Sequence, residues 1–220
     1  MIDPAEVAAN VADVRRRIHA AGGGDEVRIL AVTKTFPLDA ARGALAAGCT
    51  AVGENYAQET VAKWAEWQPD EARPSLHFIG HVQTNKVRML APIVEVWQTL
   101  DRPSVIDEVA RRAPGARAYL QVNVTGEPSK SGCEPSDASA LLGQARSAGL
   151  RIEGLMTLGA AGDEAVTLAG FRLLSSIADE LGLAERSMGM SGDLELAVQA
   201  GATMVRIGSA LFGPRAVSQH

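Results

Sequence analysis

The chain has 220 residues, with 21 Lys and Arg against 26 Asp and Glu and a formal net charge of −5. Hydrophobic residues make up 46% and charged residues 21%, too apolar for a disordered chain and ordinary for a globular one. The acidic balance and 4% aromatics argue against a nucleic-acid surface, the two cysteines lack zinc-site spacing, and no apolar run approaches the roughly 18 residues of a membrane span.

The first residues, Met1-Ile2-Asp3-Pro4, lack the basic-then-apolar order of a signal peptide, so a cytoplasmic protein with one domain over 1–220 is expected. Asp3, Pro4 and Glu6 stand at cap, first-turn and capping-box positions of a helix. Val7, Val11, Val14 and Ile18 give it one apolar face, and Gly22-Gly23-Gly24 ends it. Arg15-Arg16-Arg17 reads as a solvated part of that helix. Eight β-rich runs follow, at 27–33, 50–53, 76–79, 94–99, 118–124, 151–156, 185–188 and 204–207. Helical patterns fall between them at 38–47, 58–67, 85–90, 104–113, 137–148, 165–181 and 194–200. Gly48, Gly149, Gly182 and Gly201 stand where helices end. Strict alternation predicts an α/β fold with a parallel sheet, and eight repeats suit a (β/α)8 barrel with an extra N-terminal helix. An open doubly wound sheet is the alternative. Its dinucleotide form is disfavoured because Thr33-Lys34-Thr35-Phe36-Pro37 stands where a glycine fingerprint would.

A barrel of this kind places its site at the carboxyl ends of the strands. Those ends carry Lys34, Glu54-Asn55, Gly80-His81, Asn123-Val124-Thr125, Met156-Thr157, Met190-Ser191 and residues 206–209. Lys34 is either a surface cation or a Schiff-base amine made nucleophilic by partial desolvation. Gly208 and Ser209 start a turn after the last strand whose backbone donors and hydroxyl suit a phosphate, and Ser191 adds a hydroxyl from the neighbouring loop. Arg206, if buried, needs an acceptor, either a carboxylate or a ring nitrogen of a ligand. Trp64 and Trp67 read as packing, Cys49 and Cys133 as packing or exposed thiols, and Lys130 as a solvated loop cation. His77 and His81 read as structural histidines under the mouth.

With these residues laid out, the sequence resembles the pyridoxal phosphate homeostasis protein family, itself similar to the N-terminal barrel of alanine racemase and other fold-type III pyridoxal-phosphate enzymes. The resemblance spans nearly the whole chain. It rests on Ala31-Val32-Thr33-Lys34, Gly53-Glu54-Asn55-Tyr56-Ala57-Gln58-Glu59 and His77-Phe78-Ile79-Gly80-His81-Val82-Gln83-Thr84-Asn85-Lys86. Gln121-Val122-Asn123-Val124, Lys130-Ser131-Gly132, Gly154-Leu155-Met156, Ser187 to Asp193 and Arg206 to Gly213 continue it. Thr33, Thr84 and Ser209 depart from the usual residues but keep a hydroxyl. The resemblance implies that Lys34 forms a reversible aldimine with pyridoxal 5'-phosphate. It further implies that Ser191, Gly208 and Ser209 hold the phosphate, that Arg206 faces the pyridine nitrogen and that Asn55 lines the pocket near the ring.

Arginine does not give up a proton. An arginine at the ring nitrogen therefore weakens the electron sink that carbanion chemistry requires. The chain has two tyrosines, Tyr56 and Tyr119, and little sequence after Phe212-Gly213 for a second domain. The expected function is intracellular homeostasis or carriage of pyridoxal phosphate with no classical turnover. Apo-enzymes are the expected recipients, and neither nucleic acid nor membrane is a partner. The expected state is a monomer rather than an obligate dimer. A minimal amino-acid racemase or lyase, and a cofactor-free Schiff-base aldolase, are the alternatives.

Overall fold

A computed structural model describes residues 2–68 and 70–214. The eight runs form parallel strands β1 (Arg28–Val32), β2 (Ala51–Glu54), β3 (Ser75–Phe78), β4 (Val96–Leu100), β5 (Arg117–Gln121), β6 (Arg151–Met156), β7 (Glu185–Ser187) and β8 (Met204–Ile207). They close in chain order, with β8 paired to β1 from Arg28↔Met204 to Ala31↔Ile207. That closure excludes the open sheet. The crossovers are α2 (Leu38–Ala46), α3 (Ala57–Ala65), α4 (Thr84–Leu90), α5 (Pro103–Arg112), α6 (Ala138–Ser147), α7 (Glu164–Glu180) and α8 (Leu194–Gln199). A 3₁₀ turn at Pro135–Asp137 precedes α6.

The extra helix is α1 (Pro4–Ala20), and the short α9 (Ser209–Phe212) follows β8. Asp3 caps α1 by accepting from the Ala5 N–H at 2.9 Å, a contact that contributes about 1 kcal/mol. Val7, Val14 and Ile18 bury its apolar face, and the helix lies against α2, α8 and α9. The arginine triplet is not one solvated face, because consecutive helical residues point about 100° apart. Arg16 alone is solvated, paired with Asp13. Arg15 donates to Val27 O at 2.6 Å, and Arg17 reaches across to the β7–α8 loop.

Strand alternation separates two cores. Ile29, Ala31, Val52, Leu76, Phe78, Trp97, Val205 and Ile207 join the layer between sheet and helices. Inside the barrel Val96, Tyr119 and Met156 form a small apolar cluster. Much of the remaining interior is polar and satisfied: Gln98, His77, Ser187 and Arg206 are all buried. Trp64 and Trp67 are both buried, their rings 5.9 Å apart, and Cys49 and Cys133 are both buried free thiols. Burial pushes those thiols up to about 11 and about 12. Among the described residues no helix is long and apolar enough to cross a membrane, and no His, Cys, Asp or Glu cluster has metal-binding form.

Candidate functional site

At the carboxyl ends of the strands lies a cavity of about 380 Å³. Lys34, Asn55, Ser191, Arg206, Gly208 and Ser209 all line it, among Val32, Ile79, Met156, Leu158, Met190 and Gly192. The barrel therefore brings those six residues together, whereas Glu54, Gly80, His81, Asn123, Val124, Thr125 and Thr157, also read at strand ends, do not line this cavity. Lys34 stands two residues beyond the end of β1, on a turn whose next residue, Thr35, sits at φ 66. A β-branched residue in the left-handed region is strained by about 1–3 kcal/mol and persists only where its surroundings impose it.

Ser191 Oγ and Ser209 Oγ face each other at 3.4 Å, and the Ala210 N–H stands 3.4 Å from Ser191 Oγ. These contacts are long and weak, so both hydroxyls are available to an incoming anion. Helix α9 has only four residues, and the donors come from the turn rather than from a helix dipole. Asn55 Oδ1 is buried without a hydrogen-bond partner. Its backbone is held by β3's end: a Cβ on Gly80 would stand 2.0 Å from Asn55 O, so only glycine permits this approach.

Arg206 is 3% exposed, and its acceptors differ from those anticipated. Nη1 donates to Ser187 O at 2.6 Å and Ser187 Oγ at 3.0 Å, while Nη2 donates to Thr157 O at 2.7 Å. Neutral oxygens thus satisfy it, and among the described residues no carboxylate forms a salt bridge with it. Burial pushes its pKa down to about 10, opposed by the field of Asp193. The guanidinium remains a buried cation at neutral pH, unneutralised by contact.

Ser187 Oγ continues this contact inward, donating to Gln98 Oε1 at 2.7 Å, and Gln98 Nε2 meets His77 Nδ1 at 2.7 Å. His77 lines a separate cavity of about 670 Å³ at the opposite end of the barrel. It is a structural histidine, but far below the mouth rather than just under it. His81 is half exposed, with Nδ1 3.1 Å from Ser131 Oγ and 3.9 Å from Asp101. Lys130 is not a solvated loop cation. Its ammonium is mostly buried and bonds Glu127 and Gly159 O, tying two mouth loops together.

Comparison with known proteins places this geometry. The model of the alanine racemase N-terminal domain matches residues 2–216. The pyridoxal phosphate homeostasis protein of Pseudomonas aeruginosa is 42% identical over 95% of this chain and 96% of its own length. The chain belongs to the pyridoxal phosphate homeostasis protein family. The Escherichia coli K12 member is 36% identical over 97% of this chain and 99% of its own. PipY of Synechococcus elongatus PCC7942, a structure with PLP bound, superposes with a TM-score of 0.83 at 33% identity, covering 94% of this chain and all of that one (100%). Alanine racemase of Clostridium difficile 630 shares the fold alone, with a TM-score of 0.75 at 13% identity over 96% of this chain and 57% of that one.

The Gly-Glu-Asn-Tyr block is in contact with a residue that strand-end reading missed, Lys63. Glu54, nominated at the mouth, is fully buried and turned toward Lys63 on α3. Lys63 stands on the buried face of that helix with Ala57, Thr60 and Trp64, and a lysine on an apolar face was the available signal. Arg17 was missed as well. It donates to Glu195 at 2.7 Å and to Ser191 O at 2.9 Å, fastening the Ser191 loop to α1. Its guanidinium holds the Glu195 carboxyl below the usual carboxylate range.

Proposed function

We propose that this chain binds pyridoxal 5'-phosphate in the 380 Å³ cavity, with Lys34 as the covalent anchor, and that it stores or carries the cofactor rather than turning over a substrate. One observation carries the reading: a lysine amine, a buried guanidinium without a contacting carboxylate and two uncommitted hydroxyls line one cavity. The volume falls in the range of about 300–1,000 Å³ usual for small-molecule sites. The residues fit the group. Ser191, Gly208 and Ser209 hold the phosphate, Arg206 keeps the ring nitrogen unprotonated, and the orphaned Asn55 Oδ1 offers an acceptor beside the ring. Bound there, pyridoxal phosphate supplies an aldehyde with which the Lys34 amine can combine, releasing water.

Storage is favoured over turnover because Arg206, a buried guanidinium in the cavity lining, leaves the ring nitrogen unprotonated and so weakens the electron sink that carbanion chemistry requires. Tyr56 is half exposed outside the cavity, and Tyr119 is buried at the far end beside Arg28. The unit spans 1–220 and acts as a cytoplasmic monomer, with apo-enzymes as recipients of the cofactor.

Borohydride reduction of loaded protein followed by peptide mapping is expected to leave the pyridoxyl group on Lys34, and Lys34→Ala should abolish the label. Label retained elsewhere overturns the anchor. Exchange of amino-acid α-hydrogen into deuterated water at about 1 per second or faster would overturn storage in favour of an enzyme. Arg17→Met should weaken binding of pyridoxal phosphate about fivefold by loosening the Ser191 loop, as read by calorimetric titration, while leaving pyridoxal binding unchanged.

A further inference from the structure

Glu54 at the end of β2 and Glu59 and the buried Lys63 of α3 have no part in the cavity lining, yet they surround the turn that carries Lys34. Lys63 is 6% exposed, and its ammonium has three donors. They meet Thr33 O at 2.8 Å, Glu54 Oε1 at 2.6 Å and Glu59 Oε1 at 3.0 Å. Glu54 Oε1 also accepts from Thr33 Oγ1 at 2.7 Å, and Glu59 Oε1 accepts from the Thr35 N–H at 2.6 Å. Both neighbours of Lys34 are thereby fastened. Thr33 is held through its carbonyl and hydroxyl, Thr35 through its amide.

We propose that Lys63, Glu54 and Glu59 form a clamp that positions Lys34 for covalent capture of the cofactor. The inference rests on the reading of Lys34 as the anchor. The strained Thr35 at φ 66 is what such a clamp must hold, because an unrestrained threonine leaves the left-handed region. Relaxation there would rotate the chain at Lys34. Stability alone does not account for the arrangement, since a buried ion pair adds little over apolar side chains of the same volume. Desolvation moreover pushes the Glu54 carboxyl above its usual range, against the pull of Lys63. The side chains of these three residues bond the Lys34 turn and not the cavity lining, so they are positioning residues, although the Glu54 backbone also accepts from the Ile79 N–H at 2.8 Å.

The test separates covalent capture from recognition of ring and phosphate. Pyridoxine 5'-phosphate has the ring and phosphate but no aldehyde. Two variants are compared with the unmodified chain: Glu59→Ala, at a partly exposed side chain, and the double variant Glu54→Gln with Lys63→Met, which removes the pair as a unit and strands no buried charge. Circular dichroism establishes that both are folded. Both are expected to bind pyridoxine phosphate within twofold of the unmodified chain, while the rate of reducible attachment of pyridoxal phosphate to Lys34 falls at least tenfold. Glu59→Gln keeps an acceptor oxygen for the Thr35 N–H and should restore attachment to within threefold. Unchanged attachment in both variants overturns the clamp, and so does a parallel loss of pyridoxine phosphate binding, which would mark a general folding role. Lys34→Ala keeps the two readings apart. Label persisting in that variant removes the anchor and the clamp together, whereas label lost there but normal in the clamp variants removes the clamp alone.

Discussion

Taking the protein from pH 7 to pH 4 is expected to cost about 3 kcal/mol of folding stability through His77 alone. The ring is 3% exposed and is engaged by Gln98 at 2.7 Å. Burial first, then the repulsion of Arg117 and Arg28, pushes its pKa down from 6.5 to about 3. The unfolded chain takes up a proton near pH 6.5, while the folded chain refuses it until about pH 3. Stability is thus fully present above pH 6.5 and drains away as the pH falls toward 3, at about 1.4 kcal/mol per unit. Urea denaturation at pH 7 and pH 4 measures the loss, and His77→Leu isolates it. The variant is less stable at pH 7, because Gln98 loses its partner, but its decline toward pH 4 should be shallower by about 3 kcal/mol. Equal declines in the two proteins would place the acid sensitivity elsewhere.

Pyridoxal without its phosphate should bind at least about a hundredfold more weakly than pyridoxal phosphate. Hydrogen bonds to a charged group contribute about 1.5–3 kcal/mol each, and the turn offers two hydroxyls and the backbone donors that follow Gly208. Two such bonds already reach a hundredfold. The 3.4 Å separation between the serine hydroxyls matters here, because neither gives up a good internal bond to accept the ligand. Competition titrations against a fixed concentration of pyridoxal phosphate measure the ratio. Near-equal affinities would move the phosphate site away from Ser191 and Ser209.

The barrel was legible because its signals are local and repeated. Each β-rich run ends near a polar or glycine residue, and Gly48, Gly149, Gly182 and Gly201 all adopt the positive φ that closes a helix. The cavity lining was legible for the same reason, since strand ends converge once closure is assumed. What escaped the sequence was contact across elements. Nothing in the spacing of Arg17 discloses Ser191, 174 positions away. Glu54 looks like a mouth residue by position, and only the side of the strand it projects from reveals that it serves the Lys34 turn. Lys130 was misjudged because loop cations are usually solvated, and its partner Gly159 O lies on a different loop.

The polar thread inside the barrel has a sense of direction. Arg206 can only donate, so Ser187 Oγ, accepting from it, sends its own proton on to Gln98 Oε1. Gln98 must then turn its amide nitrogen toward His77, which leaves Nδ1 as the acceptor and the ring proton on Nε2. A residue at the mouth thereby dictates the tautomer of a histidine at the opposite end of the barrel. The nitrogen chemical shifts of that one imidazole become a remote gauge of Arg206, able to register a change at the mouth without any label or chromophore placed there.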